Sequence, residues 1–284
     1  MTVISAKIIE DSISSEGVRL TTLQLTYNRY IHGELMTHRV FSRNAMSSRA
    51  VPVAKMIEQV RNDPAMPIHW GANQPGMQAH QQLEGAALAA AKEEWLTAAR
   101  QAANRAEAMQ ALGLHKQVAN RALEPFQWMH TIVTATEWAN FFELRDHPDA
   151  QPEMRELAVQ VRLAMNGSVP TLLKMNEWHL PFVSAEERGN LTMSFATLCK
   201  LSAARSARVS YMTHDGKTPD LEKDLALYER LVGSKPLHAS PIEHQATPDC
   251  RKHTSLLPED WQGAGLHGNF IGWCQYRKII EALL

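Results

Sequence analysis

The chain has 284 residues, 44% of them hydrophobic and 21% charged, with 14 glycines and 14 prolines. Such values exclude disordered, collagen-like and disulfide-stapled miniature classes, and the length allows one large domain or about two. The 29 Lys and Arg against 30 Asp and Glu leave a net charge of -1, which argues against a polycation built to hold nucleic acid but not against a local basic pocket.

From the N-terminus, residues 3–9 and 18–27 are rich in β-branched side chains and flank a turn-like stretch at 11–17, which predicts a β-hairpin. A short helix is expected over 28–35, leading into a polar segment at 37–49. Residues 78–112 are rich in Ala, Gln and Glu, without proline and with Gly113 just past the end. They predict a long helix broken near Gly85, the main part of a helical, insertion-like segment over 50–115. A second helix is expected over 129–144. A third starts at Gln151-Pro152-Glu153 and ends at Asn166-Gly167, with Met154, Leu157, Ala158, Val161 and Met165 on its core face. Residues 194–207 read as helical up to a strand-like step, Arg208-Val209-Ser210-Tyr211. Thr218-Pro219 then caps a helix with Leu221, Leu225, Tyr228 and Leu231 on one face, and 245–284 form a C-terminal tail. Helices dominate, βαβ alternation is missing, and neither G-x-G-x-x-G nor G-x-x-x-x-G-K-[ST] occurs. The expectation is an α+β fold, one catalytic domain over 1–284.

The longest apolar or small-residue run, Gly85 to Ala91, is too short for a bilayer, and Lys7, Glu10 and Asp11 interrupt any signal peptide. Cys199, Cys250 and Cys274 are scattered without a C-x-x-C pair, which argues against a disulfide framework and a structural zinc site. A reducing, cytoplasmic compartment is expected, with no membrane and no nucleic-acid partner.

Polar chemistry concentrates in three places. Residues 37–49 hold three arginines, one histidine, three serines and an asparagine within thirteen positions. Arginine forks match phosphate oxygens and serine hydroxyls complete such a cradle; a solvated basic loop is the plainer alternative. In the second, Trp138, Phe141 and Phe142 surround Asn140 and Arg145, whose polar groups need a ligand or an internal ion pair. Arg121 lies upstream. The third, Lys235 to His244, offers His238, Glu243 and His244. Their spacing is not H-E-x-x-H, and Pro241 keeps both histidines off one helix face, so no metal is expected. No cysteine has a recognisable activated setting.

Together these blocks resemble the flavin-dependent thymidylate synthases. His38-Arg39-Val40-Phe41-Ser42-Arg43-Asn44-Ala45-Met46-Ser47-Ser48-Arg49 follows that family's R-H-R-x-x-S-x-N-x-x-S-x-R block from its second position. Asn140-Phe141-Phe142-Glu143-Leu144-Arg145 and Ala150-Gln151-Pro152-Glu153 resemble its N-F-L-x-L-R…A-Q-x-E helix. Ser206-Ala207-Arg208-Val209-Ser210-Tyr211 and His238-Ala239-Ser240-Pro241-Ile242-Glu243-His244 are similar to its A-A-R-V-S-F and H-x-T-P-F-E-H blocks. The last two normally precede the first and here follow it, so the chain resembles a circularly permuted member, a pattern associated with phages and some bacteria.

The resemblance covers roughly 20–49, 121–156 and 198–243, and implies a mixed β-sheet with long flanking helices and a homotetramer. It implies flavin adenine dinucleotide held by His38, Arg39, Asn44, Asn140, Ser240 and Glu243. Ser47, Arg49 and Arg121 would grip the phosphate of dUMP, Arg145 would meet the pyrimidine ring, and His238 would stand on the flavin and folate side. Ser47 is the one nucleophile candidate, but without a neighbouring base it reads as a positioning group. The implied reaction methylates dUMP to dTMP, with methylenetetrahydrofolate as carbon donor and NADPH reducing the flavin. Alternatives are a related enzyme acting on dCMP or leaving a hydroxymethyl group, and a flavin- or nucleotide-binding module without catalysis. Four departures mark this chain: Thr37 for the block's first Arg, Glu34 for a frequent Gln, Ala45 for an acidic residue and Asp149 for a His. Arg29, Arg43 or Arg277-Lys278 are the candidate cations for the role Thr37 lacks.

Overall fold

Alternating β-branched residues and one buried acid shape the first hairpin in the computed structural model, which describes residues 1–209, 220–252 and 260–283. Strands β1 (Ser5–Ser14) and β2 (Arg19–Asn28) pair antiparallel, with a bulge between Ile8 and Glu10. The turn is tighter than the expected 11–17. Asp11 belongs to the strand because its buried carboxylate accepts from Arg19 Nη2 at 2.6 Å, Thr21 Oγ1 at 3.0 Å and Ser168 Oγ at 2.6 Å. Gly17, at φ +78°, closes the turn.

Beyond the hairpin come α1 (His32–Leu35), β3 (Ser42–Ala45), α2 (Val53–Asn62), α3 (Gly85–Ala111) and α4 (Lys116–Ala119). A 3-10 turn, Asn120–Phe126, leads to β4 (Trp128–Ala135), α5 (Ala139–Arg145), α6 (Pro152–Asn166), β5 (Thr171–Leu173) and α7 (Ala185–Gly189). Helices α8 (Phe195–Arg208) and α9 (Leu221–Leu231), a 3-10 turn Ser240–Glu243, strands β6 (Ala246–Pro248) and β7 (Trp273–Gln275) and helix α10 (Tyr276–Leu283) follow. The main sheet runs β3-β4-β2-β1-β5, antiparallel except for the parallel β1–β5 pair, and β6-β7 form a second small sheet. The architecture is α+β with a mixed sheet, as the sequence predicts.

Several expectations need correction. The segment 129–144 is not one helix. Its first half, with Thr131, Ile132, Val133 and Thr134 in a row, is strand β4 between β2 and β3, and only its second half becomes α5. The long helix starts at Gly85 rather than breaking there; upstream, Gly71 bridges Gln82 in an extended pairing, so 63–84 of the insertion-like segment is not regular helix. Its spaced Ala99, Ala103 and Ala106 are buried and allow close packing, whereas Ala86, Ala87, Ala89 and Ala90 of its first turns are exposed. Helix α6 has the expected bounds, with Gln151 Oε1 capping Met154 N at 2.8 Å and the expected face buried. In α9 the buried face is Asp224, Leu227 and Tyr228, with Leu221 exposed. The face is rotated because Asp224 accepts from Arg205 Nε at 2.8 Å and Arg208 Nε at 2.7 Å. Arg208 ends α8 rather than entering a strand, Asp220 caps α9, and Ser210, Tyr211, Thr218 and Pro219 lie outside the described residues.

Two cores result. The larger holds Leu23, Leu25, Tyr27 and Val133 of the sheet against Met56, Val60 and Ala103 of α2 and α3 and Leu157 and Val161 of α6. The second joins α8 and α9 to the 3-10 turn through Ala203, Leu227, Tyr228 and Ile242. A row of buried polar side chains connects the main sheet to the C-terminal part. Ser12 Oγ meets His179 Nδ1 at 2.9 Å, His179 Nε2 meets Thr22 Oγ1 at 2.7 Å, Thr22 meets Thr134 at 2.7 Å, and Thr134 meets His244 Nδ1 at 2.8 Å. All five residues are 0% exposed.

Burial pushes His244 down to about 3 and His179 well below the usual imidazole value. Both are neutral when folded, whereas in the unfolded chain they take up protons near pH 6.5. The folded state therefore loses stability as pH falls below about 6.5, by up to about 1.4 kcal/mol per histidine per pH unit. His32 and His38, each pushed down to about 4 by burial and nearby arginines, act in the same direction. Glu10, pushed up to about 7 by burial against the pull of Arg188, opposes them as one group against four. The urea midpoint is expected to be lower at pH 5 than at pH 7.5. Thr134→Val, which removes the hydroxyl linking the two sides of the row, is expected to cost about 1–3 kcal/mol in the same titration.

Candidate active site

The block 37–49 leaves the end of α1, turns, and enters β3 at the edge of the main sheet. Arg43 makes that turn possible. Its Nη1 donates to the carbonyls of Leu35 at 3.4 Å, Met36 at 2.9 Å and His38 at 3.1 Å, gathering the end of α1 and the turn after it, while Leu35 O and His38 O also accept from His38 N and Phe41 N at 3.3 Å.

Strand β3 then presents Ser42 and Asn44 inward. Asn44 is 8% exposed; its Nδ2 donates to Ser206 O of α8 at 2.7 Å and its Oδ1 accepts from Ser240 Oγ at 3.5 Å. The three blocks that carry Asn44, Ser206 and Ser240 thus meet at one amide. Ser42 is reached from the tail. Gln275 Nε2 donates to Ser42 Oγ at 3.1 Å and to Glu243 O at 3.1 Å.

On the opposite side the aromatic cluster of α5 holds His38. Its ring lies 5.6 Å from Phe41, stacked, and 5.0 Å from Phe141, edge-on, while Trp138 packs against Phe41 at 4.6 Å. Arg145 Nε donates to His38 Nε2 at 3.0 Å, Nη1 pairs with Glu34 Oε2 at 3.0 Å, and Nη2 reaches Thr37 Oγ1 at 3.3 Å. Burial first, and then the charges of Arg145 and Arg43, push His38 down to about 4. A neutral ring accepting on Nε2 carries its proton on Nδ1. Of the two partners open to Arg145 from sequence, the ion pair is present, and Glu34 supplies it.

The third corner is basic. Asn120 Nδ2 donates to Ser48 O at 2.7 Å and Val51 O at 3.0 Å, which fastens the Asn120–Phe126 turn, the element that carries Arg121, to the end of the block at Ser48. Arg121 is 64% exposed, with only a 3.7 Å contact to Glu124. Arg39 and Arg49 are exposed, and among the described residues no hydrogen bond or ion pair engages them. Asn140 and His238 also face solvent. Glu243 is half-buried and held by Arg277 of α10 in an ion pair.

The structure brings together His38 with Arg145 and Asn44 with Ser240, and ties the turn that carries Arg121 to Ser48, between Ser47 and Arg49; it leaves Arg39, Asn140 and His238 apart from these contacts. Of the expected substitutes for Thr37, Arg29 pairs with Glu124 at 2.9 Å, Arg43 serves the end of α1, and Arg277 pairs with Glu243. His244 is fixed to Thr134 rather than placed with His238. Sequence reading missed Glu124, Asn269 and Gln275, single polar residues with no motif to mark them, and quoted Ser206 only as part of a block, with no role of its own. It also missed that Asp249, His267 and Cys274 converge within 4.8 Å. There His267 Nε2 meets Asp249 Oδ2 at 2.8 Å while Nδ1 accepts from Gly272 N at 3.4 Å, which leaves the ring proton on Nε2 for the carboxylate.

A family profile described as thymidylate synthase complementing protein matches residues 17–171. Two solved structures of a UMP/dUMP methylase PolB from Streptomyces cacaoi are similar to the chain. The one bound with 5-Br dUMP is 14% identical with a TM-score of 0.46, covering 58% of this chain and 90% of that one. The one bound with 5-Br UMP is 15% identical with a TM-score of 0.47, covering 58% and 89%. No curated protein sequence matches. Among the described residues, no helix is long and apolar enough to cross a membrane.

Asn44→Ala would leave the Ser206 carbonyl without this buried donor. It is expected to lower stability by about 1–3 kcal/mol in urea titrations and to raise amide exchange in the Ser240–Glu243 turn.

Proposed function

The chain belongs to the thymidylate synthase complementing protein family, and on that footing we propose that it is a flavin-dependent enzyme that methylates dUMP to dTMP. Methylenetetrahydrofolate is the carbon donor, and NADPH reduces the bound flavin adenine dinucleotide. The observation that carries this reading is the convergence on one arginine block of Arg145 from one side and of the Ser206 and Ser240 segments from the other.

The donor set fits such ligands. Arg39, Arg49 and Arg121 present guanidinium forks to solvent beside serine hydroxyls, the chemistry that phosphate oxygens require. Asn44, Ser240 and Glu243 offer a mixed donor and acceptor wall suited to the polar edges of a flavin nucleotide. The flavin, when bound and reduced, supplies the hydride. The protein's own part is to bind, orient and polarise. Arg49, Arg121 and Ser47 hold the nucleotide phosphate, and Arg145 faces the pyrimidine and stabilises negative charge developing on a ring carbonyl. His38, kept neutral and accepting from Arg145 Nε, fixes the direction of that guanidinium. None of the described cysteines is an activated thiol; burial raises Cys199 well above its ordinary value and Cys274 to about 11.

Met36, Val40 and Leu144 stand exposed beside the block, at 42%, 39% and 53%, which supports a homo-oligomer, a homotetramer in our reading, that covers this face. The block order supports a circularly permuted member, and the free Cys199, Cys250 and Cys274 suit a reducing, cytoplasmic setting.

A second reading rests on Glu34. Arginine offers only donors, and the carboxylate 3.0 Å from Arg145 adds the acceptor that an exocyclic amine, as on dCMP, would need. Flavin-loaded protein incubated anaerobically with NADPH and methylenetetrahydrofolate, with dUMP and dCMP in separate tubes, decides by mass spectrometry of the product. The expected product is methylated dUMP. A product from dCMP alone selects the second reading, and no product in either tube, with flavin bound, leaves a binding module. Arg145→Ala is expected to abolish turnover while retaining flavin, and Arg49→Ala to raise KM for the nucleotide about tenfold or more with kcat nearly unchanged.

A further inference from the structure

The C-terminal segment lies beyond the residues matched by the family profile, and no expected ligand contact accounts for how firmly it holds the site. Gln275 is 1% exposed. Its Nε2 donates to Glu243 O at 3.1 Å, to Ser42 Oγ at 3.1 Å and to Asn269 Oδ1 at 2.9 Å. Asn269 in turn donates from Nδ2 to Val40 O at 2.8 Å and accepts from Ser42 Oγ at 3.1 Å. Two tail amides thus bind the arginine block, at Val40 and Ser42, to the 3-10 turn, at Glu243.

The local fold is built for this. Pairing of β7 with β6 sets Gln275 opposite Ala246, and Tyr276 N donates to Gln245 O at 2.9 Å. Gly268, at φ +64°, makes room, because a Cβ there would come within 2.4 Å of Gln275 Oε1. One residue past Tyr276, α10 aims Arg277 at the Glu243 carboxylate, while Glu281 holds the same guanidinium from Nε at 2.7 Å. An unpaired carboxylate at Glu243 would oppose an anionic ligand, and the Arg277 charge cancels it.

We propose that Asn269, Gln275 and Arg277 support the dinucleotide site from behind, the two amides as positioning residues for the block at Ser42 and for the turn at Glu243, and Arg277 by setting the charge of Glu243. The inference rests on the flavin reading above and adds to it a segment that the block motifs do not include.

The test measures dissociation constants of full-length protein for flavin adenine dinucleotide, by quenching of flavin fluorescence, and for dUMP, by calorimetry. Gln275→Leu is expected to weaken flavin binding about tenfold or more while dUMP affinity, set by Arg49, Arg121 and Arg145, stays within about twofold. Arg277 is 35% exposed, so Arg277→Gln is expected to keep the wild-type Tm, weaken flavin binding about three- to tenfold and flatten its salt dependence; Arg277→Lys restores both. Should Gln275→Leu fail to fold, the Arg277 pair decides. Wild-type flavin affinity in folded Gln275→Leu or in Arg277→Gln overturns the proposal, as does equal loss of flavin and dUMP binding. A wild-type protein that binds no flavin sinks the flavin reading itself, and this inference with it.

Discussion

The side chain of Asn44 joins segments that lie 162 and 196 residues away, through a 2.7 Å bond to Ser206 O and a 3.5 Å bond from Ser240 Oγ. A buried amide cannot rotate freely among partners, since leaving its donor or its acceptor unpaired costs about 1–3 kcal/mol. The register of β3 on β4, which sets Asn44 opposite Ile132, fixes where that amide points. A one-residue slip would turn Asn44 outward and Arg43 inward, removing both the link to the C-terminal blocks and the guanidinium that closes α1. The site is therefore a consequence of sheet register before it is a consequence of any ligand.

The polar row from Ser12 to His244 works by the same rule over a longer path. A sheet face covered by apolar side chains would hold the C-terminal part by area, which is non-directional. Leu20 and Leu173 do this against Ala246, Phe270 and Trp273, and the row adds hydroxyl and imidazole groups that fit one alignment, because every member is fully buried and spends its bonds on the next. The end of the row is incomplete, with His244 Nε2 lacking a partner among the described residues. The row thus specifies position more than it adds net stability.

Much of this was legible in the sequence, for physical reasons that differ by element. Helix α6 was readable in full because a capping Gln-Pro-Glu and a regular apolar spacing act locally. Strand β4 was not. Its residues 128–135 sit between two strands, and their burial comes from partners over a hundred residues away in the case of β2, which no local period reports. Among the candidate site residues, His38, Asn44, Ser47, Arg49, Arg145, Ser240 and Glu243 were marked by block patterns, and Arg121 only by what the resemblance implies. Gln275, Asn269 and Glu124 were invisible because a lone polar residue shows its role only when its partners are in place. The rotated face of α9 has the same origin. A leucine count favours one face, and the carboxylate of Asp224 wins because, at 1% exposure, it is buried between Arg205 and Arg208 and pairs with both.

Charge is where sequence and structure differ most in kind. From sequence, every arginine near the block was a candidate for phosphate. In the folded chain they divide. Arg43 is spent on the carbonyls at the end of α1, Arg29 on Glu124, Arg145 on Glu34 and His38, and Arg277 on Glu243. Arg39, Arg49 and Arg121 keep their guanidinium groups toward solvent. The two sets have different uses. A guanidinium already paired with a carboxylate is pre-oriented but weakly attractive at long range, so it is suited to polarising a ring that other groups have placed. An exposed one attracts an anion from a distance but orients it loosely. The proposed reaction would use both kinds, the exposed guanidinium groups from the block and the Asn120–Phe126 turn and the paired one, Arg145, from α5.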